Sequence, residues 1–223
     1  MIDVALQRKN MVESQVRPSD ITDRRIIRAM LDVPREVYVP ASSAAIAYGD
    51  LDVPLEAAAP GHPPRVLLAA RVFAKLVQLC GIEAHDDVLI VGAGLGYSAA
   101  IVARLAKSVT ALEDNETMAA SARKTLASQG VTVATVHTGA LAEGLPAKAP
   151  FDVILIEGAV PQVPQGLLDQ LTPNGRLAAV RVQGPAGKAT LWRRHASGFD
   201  ATEAFDASAF VLPGFAKAPE FSF

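Results

Sequence analysis

The stretch VLIVGAGLGYSAAIVARLAKSVTALEDN, residues 88–115, decides the fold of this 223-residue chain. It opens with an aliphatic run, passes through closely spaced glycines into an apolar-periodic stretch, and ends with a second aliphatic run followed by acidic residues. Aliphatic runs bounded by turn residues indicate buried strands, and the periodic stretch between them predicts a helix. The segment therefore predicts strand, glycine loop, helix and strand, which is the repeating unit of parallel α/β sheets.

The same alternation continues toward the C-terminus and predicts a mostly parallel sheet with helices on both faces, of the Rossmann-like α/β class. The tail adds two further candidate strands, ATLWRRH at residues 189–195 and ASAFVLPGF at residues 207–215. The other predicted strands are residues 88–91, 109–112, 131–136, 153–156 and 177–182, and the predicted helices between them lie near residues 97–106, 116–129 and 163–171.

The N-terminal third has a different texture. Residues 3–32 predict two helices split at Arg-Pro-Ser-Asp, and residues 66–79 predict a further helix. Between them, residues 47–64 are rich in glycine and proline, and such long irregular segments are often functional loops. We expect a single domain, residues 1–223, with a helical extension and loop in residues 1–80 and an α/β core in residues 81–223.

Composition excludes several classes of protein. The formal net charge of −2 gives no basic balance for nucleic acid, and the single cysteine, Cys80, permits neither an internal disulfide nor a Cys/His zinc cluster. No segment reaches the roughly 18 apolar residues of a membrane span, and the charged N-terminus lacks the apolar centre of a signal peptide. We expect a cytoplasmic protein without a metal, a membrane or a nucleic-acid partner.

The glycine loop indicates a bound nucleoside. Gly92, Gly94 and Gly96 follow a strand and precede a helix, where glycine lets the backbone approach a ligand closely. The third glycine comes one position earlier than in the dinucleotide fingerprint, and Tyr97 stands where that fingerprint has glycine. Glu113, at the end of the next strand, suits ribose hydroxyls. This pattern is typical of S-adenosylmethionine methyltransferases; a nicotinamide or flavin ligand, or a tight turn without a ligand, are the alternatives.

Two further blocks narrow the class. RRIIRAMLDVPREVYVP (residues 24–40) and APFDVILIEGAVPQVPQGLLDQLTPNGRLAAVRVQG (residues 149–184), together with the glycine loop, resemble the protein-L-isoaspartate O-methyltransferase family over roughly residues 10–215. The resemblance implies a seven-stranded sheet and S-adenosyl-L-methionine as methyl donor. It also implies esterification of the α-carboxylate of L-isoaspartyl residues, the first step in repairing damaged asparagine and aspartate, so that the partner is a protein or peptide carboxylate.

The resemblance also assigns the donor site residue by residue. The cofactor loop corresponds to Gly92, Ala93, Gly94, Gly96 and Tyr97, and the ribose-binding acid corresponds to Glu113, with Asp114 beside it. The family usually has Gly-Asp-Gly near the adenine, where this chain has Gly139, Ala140 and Leu141, so the acidic side chain is missing. Glu157 follows the fourth strand of the core and faces either the cofactor or solvent.

The acceptor side departs further from the family. The family's Thr-Ile-Ser substrate loop corresponds to PLEAAAPGHPPRVLLAAR, residues 54–71, in which His62 and Arg65 are the acceptor-site candidates. The alternatives are an exposed loop histidine and a surface arginine at a helix start. A carboxylate acceptor has a reference pKa of about 4 and is already ionised, so alignment of the reactants replaces a general base, and no catalytic residue is assigned.

Three functions follow from this pattern. The first is a carboxyl methyltransferase of the isoaspartyl type. The second is a methyltransferase with the same donor and another acceptor, because the substrate loop is rebuilt. The third is a non-catalytic protein that keeps the fold. The chain is expected to be a monomer or a homodimer.

Overall fold

A seven-stranded sheet forms the centre of the protein in the computed structural model, which describes residues 3–56, 64–183 and 186–215. A separate antiparallel pair, β1 and β2, lies outside this sheet. The main sheet has the strand order β5-β4-β3-β6-β7-β8-β9, parallel from β5 to β7 and antiparallel beyond. The strands are β1 (Val53–Pro54), β2 (Val66–Leu67), β3 (Asp87–Val91), β4 (Ser108–Glu113), β5 (Ala134–Thr138), β6 (Phe151–Val160), β7 (Leu171–Gln183), β8 (Ala186–His195) and β9 (Gly198–Asp206).

Side-chain caps fix where several helices begin. Asp3 accepts hydrogen bonds from two backbone N–H groups of the first helix, Asp23 caps the second, and Asn115 caps the helix after β4. Asn115 is the last residue of the stretch that decides the fold. It lies two residues after the end of β4 and starts the next helix. The α-helices are α1 (Val4–Met11), α2 (Arg24–Asp32), α3 (Ala70–Cys80), α4 (Tyr97–Val102), α5 (Glu116–Ser128) and α6 (Gln165–Leu168).

The helix predicted over residues 66–79 begins later than its periodicity indicates. Val66–Leu67 pairs with Val53–Pro54 as the β2 strand, and the Leu55 N–H donates to the Arg65 carbonyl at 2.9 Å. The Asp52 carboxylate then accepts from the Ala69 N–H at 2.7 Å, directly before α3. The helix start is therefore set by a residue far away in the sequence.

The last predicted strand is wrong. Residues 207–215 do not form a strand of the sheet, because only Val211 makes an isolated bridge, to Ala159. The pairing register of β6 shifts between Leu155 and Ala159, and the Ala159 backbone, which still pairs with Val180 of β7, also bonds Phe210 and Leu212. The seventh strand is β9, Gly198–Asp206. The C-terminal segment thus lies along the carboxyl end of β6.

The core occupies both faces of the sheet. One face packs against α3, α4 and the N-terminal helices through residues such as Phe73, Ile90 and Val153. The other face is closed by α6 and the C-terminal segment through Leu89, Ile154 and Leu212. Burial of both faces explains why the central strands are uninterrupted aliphatic runs.

Within the described ranges, no helix is both long and apolar enough to cross a bilayer.

Candidate active site

The glycine loop joins β3 to α4 at the carboxyl edge of the sheet. Gly92, Gly94 and Gly96 have φ angles of +83°, +55° and +96°, a region that residues with a side chain rarely adopt. The N–H groups of Gly92 and Ala93 donate to the Leu112 carbonyl at 2.9 and 3.1 Å, which fixes the loop against β4. The backbone here requires glycine for its shape as well as for ligand approach.

Two leucines of this chain lie directly on the loop. A Cβ placed on Gly94 would be 2.6 Å from Leu55 Cδ1, and one placed on Gly92 would be 2.9 Å from Leu212 Cδ1. Leu55 follows β1, and Leu212 belongs to the C-terminal segment. The loop therefore touches segments at both ends of the chain.

Glu113 ends β4 beside this loop and is fully buried. Its Oε1 accepts from Arg65 Nη1 at 2.8 Å and from the Asn115 N–H at 3.2 Å. Its Oε2 accepts from Arg65 Nη2 and from the Gly94 N–H, both at 2.7 Å. Burial raises the pKa of this carboxyl, while the Arg65 guanidinium and the Gly94 N–H act to lower it. A carboxylate has about four lone-pair positions, so these donors occupy its whole accepting capacity.

Arg65 is a buried ion-pair partner, so the alternative of a surface arginine at a helix start is wrong. Its side chain is 5% exposed and sits before β2. In addition to the fork on Glu113, its Nη1 donates to Asp114 Oδ1 at 2.6 Å. Burial acts to lower the pKa of Arg65, but Glu113 and Asp114 together raise it. The guanidinium is held by side-chain carboxylates of the donor site.

The segment after β5 completes this edge. The Gly139 N–H donates to the Glu113 carbonyl at 3.1 Å, so the position is adjacent to the acid that ends β4. Ala140 is exposed, and Leu141 is buried against the core. The structure thus brings Gly139 to the glycine loop, and Ala140 presents a methyl group where the family usually has a carboxylate.

A cluster of buried polar side chains lies on the other side of the loop. Arg35 is fully buried, donates through Nε to the Ala47 carbonyl and through Nη2 to the Leu68 carbonyl, both at 2.7 Å, and stacks over the Tyr97 ring with its Cζ 4.9 Å from the centroid. Within the part of the chain that the structure describes, five buried polar atoms here have no hydrogen-bond partner, and we call them the polar cluster. They are Arg35 Nη1, Tyr38 Oη, Tyr97 Oη, Ser98 Oγ and Glu157 Oε1.

Glu157 is the acid of this cluster. It lies in the irregular part of β6 and is 6% exposed, so it does not face solvent. Burial raises its pKa to about 7, an effect that the Ser98 hydroxyl and the Arg35 guanidinium partly oppose. A buried carboxyl with an unpartnered oxygen is suited to receive a cationic donor.

Two further predicted site residues are Tyr97, which the structure describes, and His62, which it does not. The Tyr97 side chain points into the interior, where it packs against Phe73 and Tyr38 with ring centroids 5.7 and 5.9 Å away. His62 lies outside the described residues, so its role in the acceptor site stays a prediction.

The arrangement matches the chemical groups of S-adenosylmethionine. A ribose diol needs acceptors, and Glu113 is one; an α-ammonium needs an acceptor, and Glu157 Oε1 is unpartnered. Their strands, β4 and β6, flank β3, so they are about 10 Å apart in the hydrogen-bonding direction of the sheet, with the glycine loop between them. The donor set therefore fits the cofactor, provided that Glu113 gives up some of its present partners.

This fold and site define an α/β methyltransferase with its donor site at the carboxyl edge of the sheet. The solved structures agree on the fold. A protein-L-isoaspartate O-methyltransferase superposes with a TM-score of 0.81 at 20% identity, covering 93% of this chain and 66% of the other. A Plasmodium falciparum structure that carries the same enzyme name, in complex with S-adenosyl-L-homocysteine, gives a TM-score of 0.75 at 19% identity and covers 92% and 97% of the two chains.

Sequence comparison gives the family. The profile of the protein-L-isoaspartate(D-aspartate) O-methyltransferase family matches residues 6–211. A protein-L-isoaspartate O-methyltransferase of Methylorubrum extorquens is 38% identical over 204 residues, which is 92% of this chain and 86% of the relative. One from Methanoculleus marisnigri is 38% identical over 173 residues, 78% of this chain and 76% of the relative. The chain therefore belongs to the protein-L-isoaspartate(D-aspartate) O-methyltransferase family.

Family membership confirms the predicted α/β methyltransferase fold, S-adenosyl-L-methionine as cofactor and the class of S-adenosylmethionine-dependent O-methyltransferase. The sequence analysis named Tyr97 and Glu157 but not Arg35, Tyr38 or Ser98, so it did not predict that these side chains form one polar cluster. The cluster could have been recognised from Arg35, because it is a charged residue between the apolar positions of VPREVYVP. The sequence analysis used this block only to recognise the family.

Proposed function

We propose that this protein transfers the methyl group of S-adenosylmethionine to the α-carboxylate of L-isoaspartyl residues in proteins. The observation that carries the proposal is the family match over residues 6–211, together with a donor site whose acceptors fit the cofactor. Its relatives at 38% identity carry the name of this activity.

The donor site divides between the two sides of the glycine loop. We assign the ribose diol to Glu113, with Gly92, Ala93, Gly94 and Gly96 forming the surface beneath the cofactor. Gly139, Ala140 and Leu141 border the adenine in this assignment, and Asp114 lies next to the ribose. The bound cofactor supplies an electrophilic methyl group on a sulfonium.

The polar cluster holds the amino-acid end of the cofactor in this proposal. Glu157 Oε1 accepts from the α-ammonium, and Arg35 Nη1 donates to the α-carboxylate. The Arg35 side chain is already fixed by two backbone carbonyls and the Tyr97 ring, so binding costs it little rotational freedom. Tyr97 acts by holding Arg35, and it contributes backbone rather than its hydroxyl to the loop.

The acceptor needs alignment and exclusion of water rather than proton transfer. A side-chain carboxylate is ionised at neutral pH and attacks the methyl carbon in line with the departing sulfur. His62 and Arg65 remain the acceptor candidates, and Arg65 is the one whose surroundings are described.

The test is methyl transfer from radiolabelled S-adenosylmethionine to an isoaspartyl peptide, with the matched normal aspartyl peptide as control. We expect base-labile label on the isoaspartyl peptide alone, because methyl esters hydrolyse in base. Label on neither peptide, with S-adenosylhomocysteine binding intact, contradicts the proposal and favours another acceptor. Absence of S-adenosylhomocysteine binding favours a non-catalytic protein.

We also propose a single domain over residues 1–223, a cytoplasmic location and a monomer or homodimer that acts without nucleic acid. The near-neutral net charge of −2 and the absence of a long apolar stretch in the sequence support the location and the partner.

A further inference from the structure

The Arg65 guanidinium is bound to Glu113, the carboxylate to which the ribose of the cofactor is assigned. The ribose diol is assigned to Glu113, yet both oxygens of that carboxylate already accept two hydrogen bonds each. The Gly94 and Asn115 donors are backbone N–H groups of the loop and strand end, so they stay with the fold. The Arg65 fork supplies the other two hydrogen bonds, and it is the side chain that can move.

Arg65 differs in this respect from the other buried arginine at this edge. Arg35 is tied to two backbone carbonyls and to an aromatic ring, which no ligand can replace. The described hydrogen bonds of the Arg65 guanidinium go to carboxylate side chains, Glu113 and Asp114. One carboxylate can be exchanged for another without loss of charge pairing.

Displacement without such an exchange is unfavourable. Removing one partner of a buried ion pair leaves an uncompensated charge, which is strongly destabilising. A ribose diol can satisfy Glu113 with hydrogen bonds but supplies no charge, so Arg65 is left with Asp114 as its one described carboxylate partner. An incoming carboxylate restores the second, and the acceptor carboxylate must come within bonding distance of a methyl group that is only a few atoms from the ribose.

We propose that Arg65 is a carboxylate-binding residue of the acceptor site, which Glu113 holds until the cofactor's ribose displaces it. Asp114 keeps Nη1 through the exchange, so the guanidinium turns about a fixed contact rather than leaving the site. The donor and acceptor sites are then coupled, because each ligand removes one partner of the same ion pair. The acceptor half of this inference rests on the proposed carboxylate substrate.

The experiment measures equilibrium binding by calorimetry, first of S-adenosylhomocysteine alone and then of an isoaspartyl peptide with and without saturating S-adenosylhomocysteine. In wild-type protein we expect the nucleoside to strengthen peptide binding at least ten-fold, and reciprocity requires the peptide to strengthen nucleoside binding by the same factor. In Arg65→Met we expect S-adenosylhomocysteine to bind at least ten-fold more tightly than in wild type, and the gain in peptide affinity to disappear.

Two further variants serve as controls, one for failure of Arg65→Met to fold and one for the effect of removing an arginine elsewhere. Arg65→Lys keeps a cation at this position but loses the two-pronged contact with Glu113, so it should also tighten nucleoside binding, and it tests the inference if Arg65→Met fails to fold. Arg71→Met removes an exposed ion pair with Asp50 and should leave both affinities unchanged.

Unchanged or weaker nucleoside binding in Arg65→Met and Arg65→Lys would overturn the inference, since Arg65 would then support Glu113 instead of competing for it. Persistence of the gain in peptide affinity in Arg65→Met would also overturn it. Failure of wild-type protein to bind or methylate the isoaspartyl peptide is a different result, because it contradicts the proposed function itself.

Discussion

The affinity for S-adenosylhomocysteine should depend on pH through Glu157, the buried acid of the polar cluster. Burial raises its pKa to about 7, and only the ionised form accepts from an α-ammonium. Below pH 7 the proton must leave before the cofactor binds, so S-adenosylhomocysteine affinity should fall by up to about ten-fold for each pH unit between 7 and 5.5. Calorimetry across this range measures it.

Two controls separate Glu157 from its neighbours. The nucleoside 5′-methylthioadenosine keeps the ribose but lacks the amino-acid end, so its affinity reports any titration of Glu113 and should lack the additional fall. Glu157→Gln should bind S-adenosylhomocysteine weakly, with the same pH dependence as the truncated nucleoside. Equal pH slopes for the two nucleosides in wild-type protein would remove Glu157 from the ammonium site.

The sign of the stability effect follows from the same shift. A carboxyl whose pKa rises on folding contributes stability that is complete below its unfolded pKa of 4.5 and is lost as pH rises through about 7. Without ligand, wild-type protein should therefore lose about 3 kcal/mol relative to Glu157→Gln between pH 4 and pH 8, measured by urea unfolding.

At the scale of elements, the glycine loop allows a matched pair of substitutions. Gly94 and Gly81 have nearly equal φ angles, +55° and +57°, so the backbone conformation alone should make an alanine at either cost about 1–2 kcal/mol of unfolding free energy, with the contact to Leu55 added at Gly94. Gly81 ends α3 with no atom within 4 Å of an added Cβ, whereas Gly94 faces Leu55 and the donor site. We expect Gly81→Ala to bind S-adenosylhomocysteine normally and Gly94→Ala to bind it at least ten-fold more weakly.

The contact with Leu55 has its own control. In a Leu55→Ala background, Gly94→Ala no longer meets the side chain at 2.6 Å, so its additional cost in stability should fall to that of Gly81→Ala while nucleoside affinity stays low. Recovery of affinity in the double variant would show that Leu55, not close approach of the ligand to the backbone, requires glycine here.

The elements that local pattern predicts correctly are those whose cause is local. The strands around the glycine loop are continuous aliphatic runs because both sheet faces are buried, and α5 has its own cap in Asn115. The start of α3 depends on Asp52, and the path of residues 207–215 depends on a register shift in β6, so neither is visible in a short window. Tertiary contacts decide these boundaries.

The contacts of the site are likewise of two kinds, those that a local pattern predicts and those that depend on tertiary packing. Glycines with positive φ and the acid at a strand end leave a fixed spacing in the sequence, and the structure brings Gly94 and Glu113 into direct contact at 2.7 Å. The ion pair of Arg65 with Glu113 joins residues 48 positions apart, and Arg35 reaches Tyr97 across an even longer separation. Such contacts follow from the packing of the N-terminal third on the sheet, which no local spacing encodes.

At the scale of the whole molecule, the two edges of the sheet carry different tasks. The carboxyl edge holds the proposed donor site, while the amino edge holds an ion pair of Arg176 with Asp86, a buried carboxylate 2.6 Å from the guanidinium. Arg176 also donates to the Gly81 carbonyl at 2.6 Å, so it ties the end of α3 to β7. This edge contributes stability without touching the cofactor.

Arg176→Met tests that division. It leaves Asp86 buried without its cation, so we expect a loss of about 3 kcal/mol and a melting temperature lower by about 6–12 °C. S-adenosylhomocysteine affinity, measured by calorimetry below the unfolding transition, should change by less than about two-fold. Lys107→Met removes an exposed ion pair with Asp87 near the same edge and should leave melting almost unchanged. A large change in nucleoside affinity in Arg176→Met would mean that the two edges are coupled through the sheet, and the roles of Arg65 and Arg176 could not then be separated by position alone.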